Sequence, residues 1–83
     1  MSKGAIVERV VGHVVRAIVD DPEAVEVTIV EEGPEEVTAE VRTAKSDMGR
    51  VIGRRGRVAR AIRTLAQAAA EEEGLTAGVE FLD

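Results

Sequence analysis

The 83-residue chain has no cysteine, tryptophan or tyrosine, a single phenylalanine (Phe81), a single histidine (His13) and two prolines. Without cysteine there is no disulfide framework and no thiolate metal site, so an intracellular, cytoplasmic setting is expected. One histidine cannot build a ligand cluster, and no cofactor or metal is expected. His13 is assigned no role, because no nucleophile or carboxylate pair is placed for it to serve. No apolar run approaches the ~18 residues of a membrane span, and the opening Met1-Ser2-Lys3-Gly4 leads into a pattern broken by Glu8 and Arg9, unlike a signal peptide. The chain also lacks G-x-x-x-x-G-K-[ST], H-E-x-x-H and any nucleophile–base pair, so an enzyme is not expected. One domain over residues 1–83 is expected, since the length is too short for a second core but above the ~40 residues below which staples are usually needed.

Charge is abundant and unevenly placed. Residues 42–63 hold eight of the eleven basic residues (Arg42, Lys45, Arg50, Arg54, Arg55, Arg57, Arg60 and Arg63) and one acid, Asp47. That segment is +7 and the remainder −12, which together give the net −5. A negative sum ordinarily counts against nucleic acid, and charge runs are commonly solvated helix faces. Here the positive charge is confined to one short stretch, which describes a basic site on an acidic body.

Taken in order, the apolar residues Val7, Val10, Val11, Val14, Val15 and Ile18 fall at helical spacing and predict a core-facing helix over Ile6–Val19. Its valines make it a poor helix former alone, so packing must hold it. Asp20-Asp21-Pro22 ends it. Val25, Val27 and Ile29 alternate with Glu26 and Thr28; after a turn Glu31–Glu36, Val37, Ala39 and Val41 alternate with Thr38, Glu40 and Arg42, predicting a hairpin with one buried face. Ser46 or Asp47 is the expected N-cap of a short helix through Met48, Val51 and Ile52. A longer helix is expected from about Arg57, with Val58, Ala61, Ile62, Leu65 and Ala69 on its apolar stripe and Gly74 as its stop. Glu71-Glu72-Glu73 close this helix against the sign of its dipole, and nothing in the sequence gives a reason for their placement. Ala77, Val79 and Phe81 form a last strand. The order α-β-β-α-α-β predicts an α+β fold with a three-stranded sheet and its helices packed on one face.

Between the two later helices lies Arg50-Val51-Ile52-Gly53-Arg54-Arg55-Gly56-Arg57-Val58-Ala59-Arg60. Gly53 falls where the short helix must stop and Gly56 where the chain turns into the next, and a residue without Cβ enters the left-handed region at little cost. The unpaired N–H groups of the following helix's first turn face the loop, a geometry that binds phosphate, and Arg54, Arg55 and Arg57 add charge there. Carboxylates placed at both Gly53 and Gly56 are expected to abolish binding with the fold largely intact.

Val51-Ile52-Gly53-Arg54-Arg55-Gly56 resembles the V-I-G-x-x-G signature of KH domains. With Gly56-Arg57-Val58-Ala59-Arg60-Ala61-Ile62-Arg63 and the element order, the chain is most similar to the small stand-alone bacterial KH proteins of the KhpA (YlqC-like) family. The resemblance implies a type II KH arrangement, its core motif at about residues 37–82. It also implies an RNA-binding protein whose loop clamps the backbone of single-stranded RNA, acting as a post-transcriptional regulator or RNA chaperone. The implied RNA-binding residues are Arg50, Val51, Ile52, Gly53, Arg54, Arg55, Gly56, Arg57, Val58 and Arg60. Val51, Ile52, Val58 and Ile62 are candidates for a groove floor beneath bases, and each also reads as plain core. KH patterns place a large aliphatic three residues after the second glycine, whereas this chain has Ala59 there. Family members form homodimers or pair with a second KH-containing protein, KhpB (Jag). A protein-interaction module whose basic loop meets an acidic partner surface is the alternative reading. With one aromatic residue, base stacking worth ~1–3 kcal/mol per base is lacking, so weak, salt-dependent binding through ~3–5 backbone contacts is expected.

Overall fold

A computed structural model describes residues 2–83; Met1, the first residue of the expected domain, lies outside it. The first helix, α1, spans Ala5–Ile18 and buries Val7, Val11, Gly12 and Val15, one turn after another along a single line. Val10, Val14 and Ile18 flank that line and pack partly buried against the core. The helix N-terminus is capped from far along the chain: the Glu73 carboxylate accepts the N–H groups of Gly4 and Ile6, each at 3.1 Å. Glu73 opposes the dipole of the helix that precedes it, yet it sits at the positive end of α1, where a carboxylate satisfies orphan donors and complements the dipole. That is the physical reason for an acid at this position.

After a 3-10 turn over Pro22–Ala24, strand β1 runs Glu26–Gly33 and pairs antiparallel with β2, Glu36–Arg42. The expected six-residue turn is shorter. The ladder continues through Glu31↔Val37 to Gly33↔Glu36 with a shift of register between Glu31 and Gly33, so the chain reverses at Pro34–Glu35. Glutamates mark a turn only when they must leave a buried strand; at an exposed strand end they extend the ladder without cost in burial. Strand β3, Thr76–Leu82, joins β2 in parallel, with Ala39↔Val79 and Val41↔Phe81 opposite one another. The sheet order is β1-β2-β3, and β2 carries the buried row Val37, Ala39 and Val41. Parallel neighbours need a crossover, and helices α2 (Met48–Ile52) and α3 (Arg57–Glu71) supply it. The α+β order α-β-β-α-α-β is as expected.

The buried face of α3 is rotated from the stripe read in the sequence. Ala59, Ile62, Ala66, Ala69 and Ala70 are buried, whereas Ala61 is exposed and Leu65 is 43% exposed. The periodicity of large apolar residues favoured Leu65, but alanines allow α3 to lie closer to the valine line of α1 and to the sheet. Among the described residues Ile62 is the largest fully buried side chain, in a core otherwise built of valine, alanine and Leu75. The helix is closed by Leu75 N–H donating to the Ala70 carbonyl at 2.9 Å across Gly74, with Leu75 buried against the core. Among the described residues no helix is long and apolar enough to cross a membrane.

Candidate nucleic-acid interface

The basic loop is positioned by a carboxylate that sequence reasoning placed otherwise. Neither Ser46 nor Asp47 caps α2 with its side chain. Asp47 instead is 1% exposed and turns toward the end of α1, where its two oxygens accept the N–H groups of Asp20 at 3.0 Å and Asp21 at 3.1 Å. Arg50 completes the tie, its Nη2 lying 3.1 Å from Asp20 Oδ2 and its Nε 3.8 Å from Asp47 Oδ1. The start of α2 is thereby fastened to the end of α1, and the loop that follows α2 inherits a fixed base. Arg50, one of the residues implied for RNA binding, is 54% exposed while it makes this tie.

Beyond α2 the chain leaves helical geometry abruptly. Gly53 has φ 76° and ψ 169°, a region open essentially to glycine alone and different from the left-handed helical conformation expected there. A Cβ at Gly53 would stand 2.5 Å from Val58 Cγ2 and 2.9 Å from the Val58 backbone nitrogen. The loop is therefore pressed onto the first turn of α3, and a side chain at Gly53 would require the backbone to shift there. Gly56 does sit in the left-handed region, at φ 73° and ψ 17°, and a Cβ there would meet nothing within 4 Å. Arg55 shares the left-handed conformation at φ 59° and ψ 24°, which costs a residue with a side chain about 1–2 kcal/mol. Strain of this kind persists where surrounding structure imposes it, commonly at ligand clamps.

The backbone donors expected to face a phosphate are partly spent. A 3-10 turn over Arg54–Gly56 takes the Gly56 N–H to the Gly53 carbonyl at 3.1 Å and the Arg57 N–H to the Arg54 carbonyl. Side chains carry the positive field instead. Arg54, Arg55, Arg57 and Arg60 are all exposed, and among the described residues none of them forms an ion pair. Of the residues implied for a groove floor, Ile52 and Val58 are half-buried, whereas Val51 and Ile62 are fully buried, as is Ala59.

One contact had no signal in the sequence. Arg63 reaches from α3 to the edge of the sheet, where its Nε donates to the Val79 carbonyl at 3.4 Å and its guanidinium lies 5.5 Å from the centre of the Phe81 ring. Phe81 is half-buried and packs against the core. No group of three acidic, histidine or cysteine side chains able to hold a metal ion occurs among the described residues.

A family model described as KhpA/KhpB, KH domain, matches residues 8–81. Among curated proteins, the chain is 45% identical over 69 residues to "RNA-binding protein KhpA" of Caldanaerobacter subterraneus subsp. tengcongensis, covering 83% of this chain and 91% of that one. It is 38% identical over 76 residues to the protein of the same name in Listeria monocytogenes, covering 92% and 99% of the two chains. To that of Borreliella burgdorferi it is 41% identical over 70 residues, or 84% of each chain. No solved structure matches. The glycine-bracketed arginine loop, the mixed sheet with β2 at its centre and these similarities lead to one conclusion: the chain belongs to the KhpA/KhpB family of KH domains.

Proposed function

We propose that residues 1–83 act as one RNA-binding domain in the cytoplasm, and that the Gly53–Gly56 loop clamps the backbone of single-stranded RNA. The observation that carries this reading is the set of exposed arginines, Arg54, Arg55, Arg57 and Arg60, unpaired among the described residues, around a loop whose backbone is packed too closely for a Cβ at Gly53. In an acidic protein, four cations without carboxylate partners among the described residues are kept for an external anion. Ile52 and Val58 offer bases a narrow apolar floor, and Arg50 contributes by holding α2 in place. The relatives named RNA-binding proteins support the choice of ligand. The output is post-transcriptional regulation or RNA chaperoning, in which brief backbone-dominated contacts suffice. Competition between single-stranded RNA and a duplex of equal length tests the reading. Single strands should win, because the clamp needs bases free to turn toward the floor, whereas equal affinity would reduce the loop to a generic polyanion patch.

Pairing with a second copy, or with a second KH-containing chain of the KhpB (Jag) kind, is favoured by one observation. Leu65 is 43% exposed and shares the outer face of α3 with exposed Ala61 and Ala68. Small residues flanking one larger apolar side chain suit helix-on-helix contact. Sedimentation of the Leu65→Lys variant tests it: the pairing reading requires a shift to monomer with the circular dichroism of the fold retained.

A further inference from the structure

Outside residues 42–63 the chain has three basic residues, Lys3, Arg9 and Arg16. Lys3 is engaged by Glu31 and the Pro34 carbonyl. Arg9 and Arg16 are exposed and, among the described residues, form no ion pair, although fifteen of the sixteen acids lie outside that basic segment. They share one face of α1 with exposed His13, at positions i, i+4 and i+7. Arg16 folds back along the helix, its Nη1 occupying space that a Cβ on Gly12 would reach at 2.6 Å. This face forms one wall of an open groove of about 540 Å³, lined by Ala5, Glu8, Arg9, His13, Arg16 and Val27 of β1. Since β1 is the outer strand of the sheet and pairs only with β2 among the described residues, its far edge presents unpaired backbone N–H and C=O groups beside the groove.

We propose that this groove takes an extended acidic segment of another protein, which adds to the β1 edge as a fourth strand and aims alternate glutamates at Arg9, His13 and Arg16. The spacing fits. Four residues of helix rise about 6 Å, and side chains on one face of a strand recur at about 6.6 Å, so a Glu-x-Glu pattern keeps step with Arg9 and His13. The other strand face sets the intervening residues. Glu26 is exposed beside Val27 and Glu40 lies on the neighbouring strand, so those positions must be neutral or basic. A second copy of this chain is a poor occupant, because pairing β1 with β1 would bring its own Arg9 and Arg16 to the same basic wall. RNA is disfavoured because a phosphodiester backbone has no amide N–H and C=O groups with which to continue the β1 ladder. Main-chain pairing supplies affinity and the basic wall supplies the choice of side chain, the division of labour seen wherever peptides extend a sheet.

The test uses the whole chain and a nine-residue, end-blocked peptide in which glutamate alternates with threonine. A control peptide has the same composition with its glutamates in one block. Binding is followed by amide NMR and hydrogen exchange. The alternating peptide should shift the amides of Arg9, His13 and Arg16, slow exchange along Glu26–Val30, and bind at least about fivefold more tightly than the blocked control. The Arg9→Glu, Arg16→Glu double variant should lose peptide binding at least about tenfold while its affinity for single-stranded RNA stays within about twofold, because the loop is untouched. Equal binding of the two peptides, exchange along β1 that does not slow, or displacement of the peptide by single-stranded RNA acting on the α1 face would each overturn the proposal. The exchange measurement needs only the unaltered chain, so it decides the matter even if the double variant does not fold.

Discussion

The carboxylate of Asp47 accepts the backbone N–H of Asp20 at 3.0 Å, across 27 residues of sequence. Together with the bond from Asp21 it joins the end of the first helix to the start of the helix that leads into the basic loop. Removing a buried carboxylate that serves two backbone donors leaves both without partners, so Asp47→Ala should cost about 2–4 kcal/mol. For a domain of this size that lowers Tm by at least about 10 °C in a thermal melt followed by circular dichroism. Ser46→Ala, one residue earlier, should leave Tm within about 2 °C, since its side chain makes no cap.

Glu73 and Glu72 provide a second internal comparison. Only Glu73 reaches the N-terminus of α1, accepting from Gly4 and Ile6, whereas Glu72 is exposed. Glu73→Ala should destabilise by about 1–2 kcal/mol, the usual worth of a lost N-cap. Glu72→Ala relieves a charge opposed to the α3 dipole and should be neutral or slightly stabilising, within about 0.5 kcal/mol. Chemical denaturation of the two variants side by side checks the contrast; equal midpoints would contradict it.

The two loop glycines should respond unequally. At Gly56 only the positive φ opposes a side chain, so Gly56→Ala should cost about 1 kcal/mol and leave RNA binding within a few-fold of the parent. At Gly53 a Cβ meets the Val58 backbone nitrogen as well as its side chain, and backbone cannot rotate away. Gly53→Ala should therefore cost about 3 kcal/mol or move the loop off the first turn of α3, with loss of RNA affinity in either case. Denaturation midpoints and fluorescence anisotropy on the same two variants separate these outcomes.

What could be read from the sequence follows from which forces are local. The valine line of α1, the alternation of β1 and β2, and the loop bracketed by Gly53 and Gly56 all express short-range periodicity or backbone geometry, and each appears where the residue pattern puts it. The order of elements follows from them. The α3 face was misjudged because close helix packing selects alanine at Ala66 and Ala70, a preference set by the neighbouring valines and not by hydrophobicity along α3 itself. Asp47 and Glu73 act across 26 or more residues, so their spacing from Asp20 and Gly4 holds no signal. The ion pair between Arg50 and Asp20 had no signal either, because charge near a glycine loop does not reveal its partner.

Arg54 and Arg55, exposed and without ion pairs among the described residues, are proposed to hold RNA by its phosphates. The direct measurement is the affinity of the parent chain and of the Arg54→Ala, Arg55→Ala double variant for a single-stranded RNA across a range of salt concentrations. If each arginine neutralises one phosphate, the slope of log affinity against log salt should become shallower by about 1.4, at about 0.7 per contact, with affinity falling to a similar degree for every RNA sequence tried. An unchanged slope with unchanged affinity would contradict the clamp and move the RNA site away from the Gly53–Gly56 loop.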